Sequence, residues 1–300
     1  MKNSIRLTAS AELLIAAAFW GFGFIGTVWA LKLLSPLHVI FLRFFLAGLI
    51  GLAFLFSKKR RQAITQNLAL SFWPALLLVG TLLFQTWGLL FTTATKSGFI
   101  TTLYVVIVPV FESAFRRRNL PLSLWLCVGA ALIGTGMIVD IGFAEFNKGD
   151  LLTLICAFLA AAQIYLIGIL SPRVRAPFVF NIMQAWWAVL ICLPLLYFDP
   201  LRSEMLSVEF WPTLPLIGLL TLAFGSTVIA FYLQVRAQAH LSATVSSLFF
   251  LLESPYALLF AMLLLGETLG WLEAWGAALI FFSAVAANLI DARRKPQRAV

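Results

Sequence analysis

Apolar segments of about 20 residues recur along almost the whole chain, each long enough to cross ~30 Å of hydrocarbon as an α-helix. They lie at 12–33, 37–57, 71–92, 97–115, 121–139, 150–170, 177–197, 212–234, 241–265 and 271–290. A chain inside lipid has to satisfy its own backbone N–H and C=O groups, so such segments read as helices. The fold class that follows is an all-α integral membrane protein with ten transmembrane helices. The longest connections are about 13 residues, too short for a separate soluble core.

Hydrophobic residues make up 62% of the chain and charged residues 11%, against roughly 45–50% and 25% in soluble proteins. A globule of this size has too much surface to hide so large an apolar share. The net charge of +9 would raise the question of nucleic acid in a soluble protein. Here the basic residues sit in short runs between apolar segments, so the partners they imply are lipid headgroups, and no nucleic acid is expected.

Those runs also orient the chain. Lys2, Arg6, Lys58, Lys59, Arg60, Arg61, Arg116, Arg117, Arg118, Arg173, Arg175, Arg236, Arg293, Arg294, Lys295 and Arg298 fall on one side, 16 of the 21 basic residues. The other side holds Lys32, Lys96, Lys148 and Arg202 with most of the acids: Asp140, Glu145, Asp150, Asp199, Glu204, Glu209, Glu267 and Glu273. The positive-inside rule then places both termini in the cytoplasm and makes the number of spans even. A miscounted helix would exchange the two sides partway along, and no exchange occurs. The first segment follows Lys2 and Arg6 as a signal peptide would. It is too long for one and lacks a small-x-small cleavage site, so it is expected to remain as the first span. The expected setting is a bacterial inner (plasma) membrane.

The two halves echo each other. Trp73-Pro74 opens the third span and Trp211-Pro212 the eighth; Pro36 precedes the second and Pro177 the seventh. Pro109 and Pro255 lie inside spans four and nine, each followed sixteen residues later by a tryptophan, Trp125 or Trp271. Residues 1–140 and 141–300 therefore read as two five-helix repeats. Five is odd, so the second copy enters the membrane from the opposite side. Inverted repeats of this kind are typical of secondary transporters, whose sites lie near midplane between the halves.

Candidate site residues are the polar groups that the apolar segments carry. Arg43 sits ~9 Å below the outer end of span two and Glu253 ~12 Å below the outer face in span nine, counted at 1.5 Å per residue. Each charge costs at least ~2.5–3.5 kcal/mol at a helix centre, which calls for a partner or a water-filled cavity. They are expected to flank the central cavity, either paired with each other or binding opposite ends of a zwitterion. Gln85, Thr101, Tyr104, Gln184, Ser246, Tyr256 and Trp20 are expected beside them, from the polar stripes of spans three, four, seven and nine and the deeper aromatics. Glu112 stands one turn before Arg116 and reads as an interfacial i,i+4 pair, while Glu12 and Asp291 read as solvated helix ends.

Several chemistries are excluded. Cys127, Cys156 and Cys192 lie singly in apolar segments, giving neither a disulfide framework nor a metal site. Gly21, Gly23 and Gly26 match a dinucleotide-binding pattern, but inside a spanning helix with no preceding strand, so they read as points of close helix approach. There is no phosphate-cradling Walker sequence. An intramembrane enzyme needs a catalytic set; His38 and His240 stand at span ends with no carboxylate or nucleophile at useful spacing in the sequence. No enzyme activity and no cofactor are expected.

The chain resembles the drug/metabolite transporter superfamily, in particular its EamA-type members. The resemblance runs through Phe41-Leu42-Arg43-Phe44-Phe45, Leu251-Leu252-Glu253-Ser254-Pro255 and Leu265-Gly266-Glu267, and covers nearly all of the chain. It implies spans one to four and six to nine around a central cavity, with spans five and ten packed outside. It also implies export or exchange of small metabolites. A small zwitterion such as an amino acid is the favoured substrate, moved by alternating access; amines, nucleobases and drugs are the alternatives.

Overall fold

The computed structural model describes residues 2–55, 58–92, 94–116, 119–138, 146–199, 213–265 and 270–293. Among these residues all regular structure is helical. In chain order the helices are α1 (Lys2–Ala30), α2 (Pro36–Leu55), α3 (Lys58–Gly88), α4 (Ala94–Thr101), α5 (Tyr104–Arg116), α6 (Leu122–Ile138) and α7 (Lys148–Leu170). The second half follows with α8 (Pro177–Cys192), α9 (Thr213–Thr221), a π-helical segment (Leu222–Ala230), α10 (Phe231–Gln238), α11 (Ala243–Phe250), α12 (Glu253–Leu265) and α13 (Trp271–Ala292). Among the described residues, eight helical stretches are long and apolar enough to cross a membrane, and Pro36–Leu52 and Leu122–Ile138 are shorter apolar helices.

Local sequence sets several boundaries. Asn147 caps α7 by accepting from the Asp150 N–H at 3.1 Å, while Asp150 accepts the Asn147 N–H at 2.8 Å, a reciprocal capping box. The Ser242 hydroxyl caps α11 through the Val245 N–H. At the other extreme, α3 begins thirteen residues before the expected third span, so the run Lys58–Arg61 starts a helix instead of forming a loop. Pro74, expected to open that span, lies inside α3. One missing N–H is tolerated in a helix whose neighbours hold it in place.

The expected spans four and nine are not continuous. Span four breaks at Thr102 and Leu103 between α4 and α5, and span nine at Leu251 and Leu252 between α11 and α12. Each break precedes a matched proline, Pro109 by six residues and Pro255 by three; the Pro255 ring reaches back to Leu251 and disfavours an unbroken turn there. The halves pack with matching partners: α1 meets the π segment and α12, as α7 meets α3 and α5, and α2 meets the π segment as α8 meets α3. The joint between the halves is made of small residues. A side chain at Gly21 would meet the Glu253 carbonyl oxygen at 2.7 Å, so only glycine lets α1 lie this close to α12.

Helices α6 and α13 pack chiefly on each other, crossing backbone to backbone at Gly134 and Gly276. Their outer faces expose Leu126, Ile133, Trp275 and Phe282, and neither helix reaches the central cavity. The N-terminal part of α1 is tied to the end of α13: Arg6 pairs with Asp291 at 3.1 Å and donates to Asn288 Oδ1 at 3.0 Å. The two ends of the described chain therefore share one face, called the terminal face below.

Candidate functional site

A cavity of about 160 Å³ lies between the halves, walled by α1, α2, α3, the α4–α5 break, α7, the π segment, α10 and the α11–α12 break. Its lining includes the later part of α1 (Trp20 to Thr27), the start of α2 (Val39 to Arg43) and the later part of α3 (Leu78 to Leu89). The end of α1 and the start of α2 are joined by a short turn, so the cavity extends toward the face away from the termini. On the terminal face the helices are fastened together. Arg236 on α10 pairs with Glu12 on α1 at 2.7 Å, and the Gln238 amide donates to the Ile164 carbonyl at 2.9 Å.

Arg43 is buried on the cavity wall, and its Nε donates to Thr227 Oγ1 at 2.9 Å. Thr227 belongs to the π segment, where the backbone cannot make a regular α-helical ladder. The loosened carbonyls are taken by side chains from other helices. Trp20 Nε1 on α1 donates to the Ser226 carbonyl at 3.2 Å. Asn181 Nδ2 on α8 donates to the carbonyls of Thr227 at 3.1 Å and Val228 at 3.0 Å. Ser226 in turn donates its hydroxyl to the Phe19 carbonyl at 2.9 Å. The π geometry is thus held from both halves, and with it the position of Arg43.

Glu253 opens α12 directly after the break and lines the same cavity. A helix N-terminus favours a carboxylate there. No ion pair joins Arg43 to Glu253; each is left to the cavity or its own wall. Gln85 donates to Thr101 Oγ1 at 3.4 Å, and the Thr101 hydroxyl is held by the Ser97 carbonyl at 2.9 Å. Trp20 stacks its edge and face against Phe250 and Phe231, with ring centroids 5.1 and 5.3 Å away. Three buried polar atoms of the lining have no partner: Tyr104 Oη, Gln163 Nε2 and Gln234 Oε1. Leaving such an atom unpaired costs about 1–3 kcal/mol, so the wall of this cavity carries a local polar cost that the apolar packing around it does not relieve.

Of the nine residues expected from sequence, Arg43, Glu253, Gln85, Thr101, Tyr104 and Trp20 share this cavity. The other three lie elsewhere. Ser246 is fully buried in α11, because the break at Leu251 and Leu252 resets the helical phase that would have aligned it with Glu253. Tyr256 lines a separate apolar groove with Leu14, Phe19 and Phe260 between α1 and α12. Gln184 is buried on α8 where that helix packs against α2 and α3. Conversely, Gln163, Gln234, Ser226 and Thr227 were not singled out. Their only signal was an amide or hydroxyl alone in an apolar stretch.

Several charged residues also differ from expectation. Glu112 is buried and not interfacial, and it accepts the Thr244 N–H at 3.3 Å and the Thr244 hydroxyl, so it caps α11 in the other half; the side chain of Arg116, its expected partner, lies outside the described residues. Glu12 and Asp291 are buried in the pairs with Arg236 and Arg6 described above, not solvated. His38 is buried, and the fold brings Asp199 to within 3.6 Å of its Nδ1. The Ser35 hydroxyl stands between them, donating to Asp199, lying 2.7 Å from His38 Nδ1 and accepting the His38 N–H as the cap of α2. In a nucleophilic triad the imidazole stands between hydroxyl and carboxylate. The order here is a helix cap. Trp87 is exposed away from the cavity, and Trp186 packs on Gly48. Trp73, expected at a span end, is exposed in the interior of α3, and Trp271 is exposed at the start of α13, while Trp211 and the Gly266-Glu267 motif lie outside the described residues. The three cysteines are buried free thiols.

Comparison with known proteins agrees with this architecture. The profile of the EamA-like transporter family matches residues 9–140 and again residues 147–289. An uncharacterized transporter of Archaeoglobus fulgidus is 31% identical over 293 residues, covering 95% of this chain and 87% of that one. A crystal structure of a protein with 18% sequence identity superposes with a TM-score of 0.76, covering 95% of this chain and 98% of that chain.

Proposed function

Since this chain belongs to the EamA-like transporter family, we propose that it exports a small zwitterion, an amino acid or a close relative, by alternating access. The observation that carries the reading is the cavity between the halves. Arg43 stands on the first-half wall and Glu253 on the second, with no ion pair between them. A cation and an anion held apart in about 160 Å³ suit a ligand with opposite charges at its own ends. Its carboxylate faces Arg43, its ammonium faces Glu253, and its apolar part lies on Trp20. Unpaired, each wall charge bears its own desolvation cost, and the zwitterion offsets both at once.

Movement follows from the two halves lying in opposite orientations, so that one sequence encodes both end states. With the termini in the cytoplasm, the state described has its cavity directed outward and is fastened on the inside by Glu112–Thr244 and Glu12–Arg236. Release of those contacts, with bending at the two helix breaks, opens the inner side. Export is the direction that the resemblance to metabolite exporters implies. All ten apolar segments serve as spans in this reading, the two shorter helices included.

A thermal-shift screen of the purified protein beside Arg43→Gln tests it, with amino acids, amines, nucleobases and sugars as the library. A ligand at ~100 times its Kd adds about 2.7 kcal/mol of stability when it binds only the folded state. A zwitterion that shifts the wild type and not a folded Arg43→Gln supports the reading. Equal shifts in both proteins make Arg43 structural, and a response to amines or nucleobases alone replaces the zwitterion.

A further inference from the structure

We propose that Thr227 is a positioning residue for substrate recognition: by holding Nε of Arg43 it presents the two terminal nitrogens, Nη1 and Nη2, to the cavity as a two-pronged site for a free carboxylate. The inference rests on the zwitterion reading above and names the residue that makes the site selective for the acid end.

The polarity of the contact is fixed by its last acceptor. The Leu222 carbonyl can only accept, so the Thr227 hydroxyl spends its one hydrogen there, at 2.8 Å. Its oxygen is left to accept, and Nε of Arg43, which can only donate, meets it at 2.9 Å. Leu222 and Thr227 both belong to the π segment, whose irregular backbone leaves that carbonyl to a side chain five residues later. Thr227 itself is 1% exposed and is no part of the cavity lining, so it reaches a substrate only through Arg43.

The other two nitrogens of the guanidinium are uncommitted. Among the described residues nothing bonds Nη1 or Nη2 of Arg43, and neither is sealed from accessible space as Nε of Arg6 is. The space they meet is the cavity that Arg43 lines. A carboxylate can pair with a guanidinium side-on, through Nε and one Nη, or end-on, through both Nη groups. With Nε taken by Thr227, only the end-on approach remains. An ionised carboxylate fills both prongs with two equivalent oxygens. A carboxamide of the same shape has no charge and sets its NH₂ group against one prong, and an amine offers no acceptor at all. Without the Thr227 hydroxyl, Nε becomes a buried donor with no acceptor. The rigid planar group then turns to find one, and the fork loses its aim.

Equilibrium binding to the full chain in lipid nanodiscs tests the proposal. The ligands are the common L-amino acids and the α-carboxamide of each one that binds. The proteins are wild type, Thr227→Val, Thr227→Ser and Arg43→Lys. Wild type is expected to bind the acid at least ~10-fold tighter than its carboxamide, the weight of a charge-assisted pair. Thr227→Val should weaken the acid at least ~10-fold and leave the carboxamide within about threefold, so the preference collapses. Thr227→Ser keeps the hydroxyl and should hold the preference within about threefold of wild type. A valine variant that keeps the preference, or weakens both ligands alike, would overturn the positioning role and leave the zwitterion reading standing. So would a serine variant that behaves as the valine one. If no amino acid binds wild type, or acid and carboxamide bind it equally, the zwitterion reading falls and the proposal with it. Should Thr227→Val fail to fold, Arg43→Lys decides. It keeps a positive charge without Nε or fork and should bind the acid at least ~10-fold more weakly than wild type. Binding within about threefold of wild type would overturn the two-pronged site.

Discussion

Glu112, near the end of α5, accepts both the backbone N–H and the hydroxyl of Thr244 at the start of α11, 132 positions later in the chain. The contact joins the two halves on the terminal face, and it does so with a carboxylate at a helix N-terminus, where the macrodipole favours it. Hydrogen bonds to a charged group contribute about 1.5–3 kcal/mol each, so Glu112→Ala should lower stability by roughly 2–4 kcal/mol. Glu112→Gln should cost about 1 kcal/mol, since its amide oxygen still accepts. Thermal unfolding of the purified proteins measures both, and an Ala variant as stable as wild type would remove Glu112 from the joint.

Glycine substitutions separate packing from helix propensity. In Gly21→Ala the new methyl meets backbone atoms of Glu253 and Ala257 below 3.0 Å, so α1 and α12 must move apart. The expected loss is about 1–3 kcal/mol. Gly129→Ala on α6 meets nothing within 4 Å and should be neutral or slightly stabilising, by up to ~1 kcal/mol. Equal effects at the two sites would mean that the close approach of α1 to α12 does not hold in the membrane.

The two ion pairs near the terminal face should differ in weight. Arg236 is 43% exposed beside Glu12, whereas the Asp291 side chain under Arg6 is 4% exposed. Removing Arg236 as Ala should cost about 1 kcal/mol or less, because its side chain is more exposed than that of Arg6, at 43% against 21%. Arg6→Ala takes a charged donor from a carboxylate only 4% exposed and should cost more, about 1–3 kcal/mol. Raising the salt concentration should narrow the Arg236 effect more than the Arg6 effect, which a melt series at several ionic strengths reads directly.

Leu89, a partly exposed residue on the cavity wall toward the face away from the termini, gives a test of sidedness. The native thiols at 127, 156 and 192 are buried, so the unmodified protein should label slowly with a membrane-impermeant maleimide. Leu89→Cys should label from the outer side of sealed, right-side-out vesicles, and a bound substrate should slow it at least about threefold. Labelling only from the inside would reverse the assigned state.

The parts of this protein that were legible in its sequence are those that lipid enforces. Runs of apolar residues give helices wherever they occur, and the charged runs between them give one consistent pair of sides. The cost of an unpaired charge in hydrocarbon also drew Arg43 and Glu253 to one cavity, because few other solutions exist for them.

Less legible were features that depend on helical phase and on contacts far apart in the chain. Ser246 lies seven residues before Glu253, which puts both on one face of an unbroken helix; the break at Leu251 and Leu252 separates them. Glu112 and Arg116 satisfy a local pairing rule, yet the capping contact with Thr244 cannot be read from spacing. Gln163 and Gln234 have no charge to flag them, and the amide chain they form with Gln238 and the Ile164 carbonyl joins α7 to α10 through contacts that spacing does not reveal.

The π segment stores information that composition does not carry. Ser226 and Phe231 both line the cavity although they are five residues apart, a spacing that an α-helix would place ~140° from each other. Deleting one residue between them would keep a span of nearly the same length and hydrophobicity, well able to insert. Four residues of α-helix turn through ~400°, so Ser226 and Phe231 would still share a face, but the carbonyls of Ser226, Thr227 and Val228 would return to the helix ladder and be withdrawn from Trp20 and Asn181. A chain altered in this way would insert as before yet lose the bonds that brace Thr227 against Arg43, so this wall depends on hydrogen-bonding capacity that only an irregular stretch of span eight sets free.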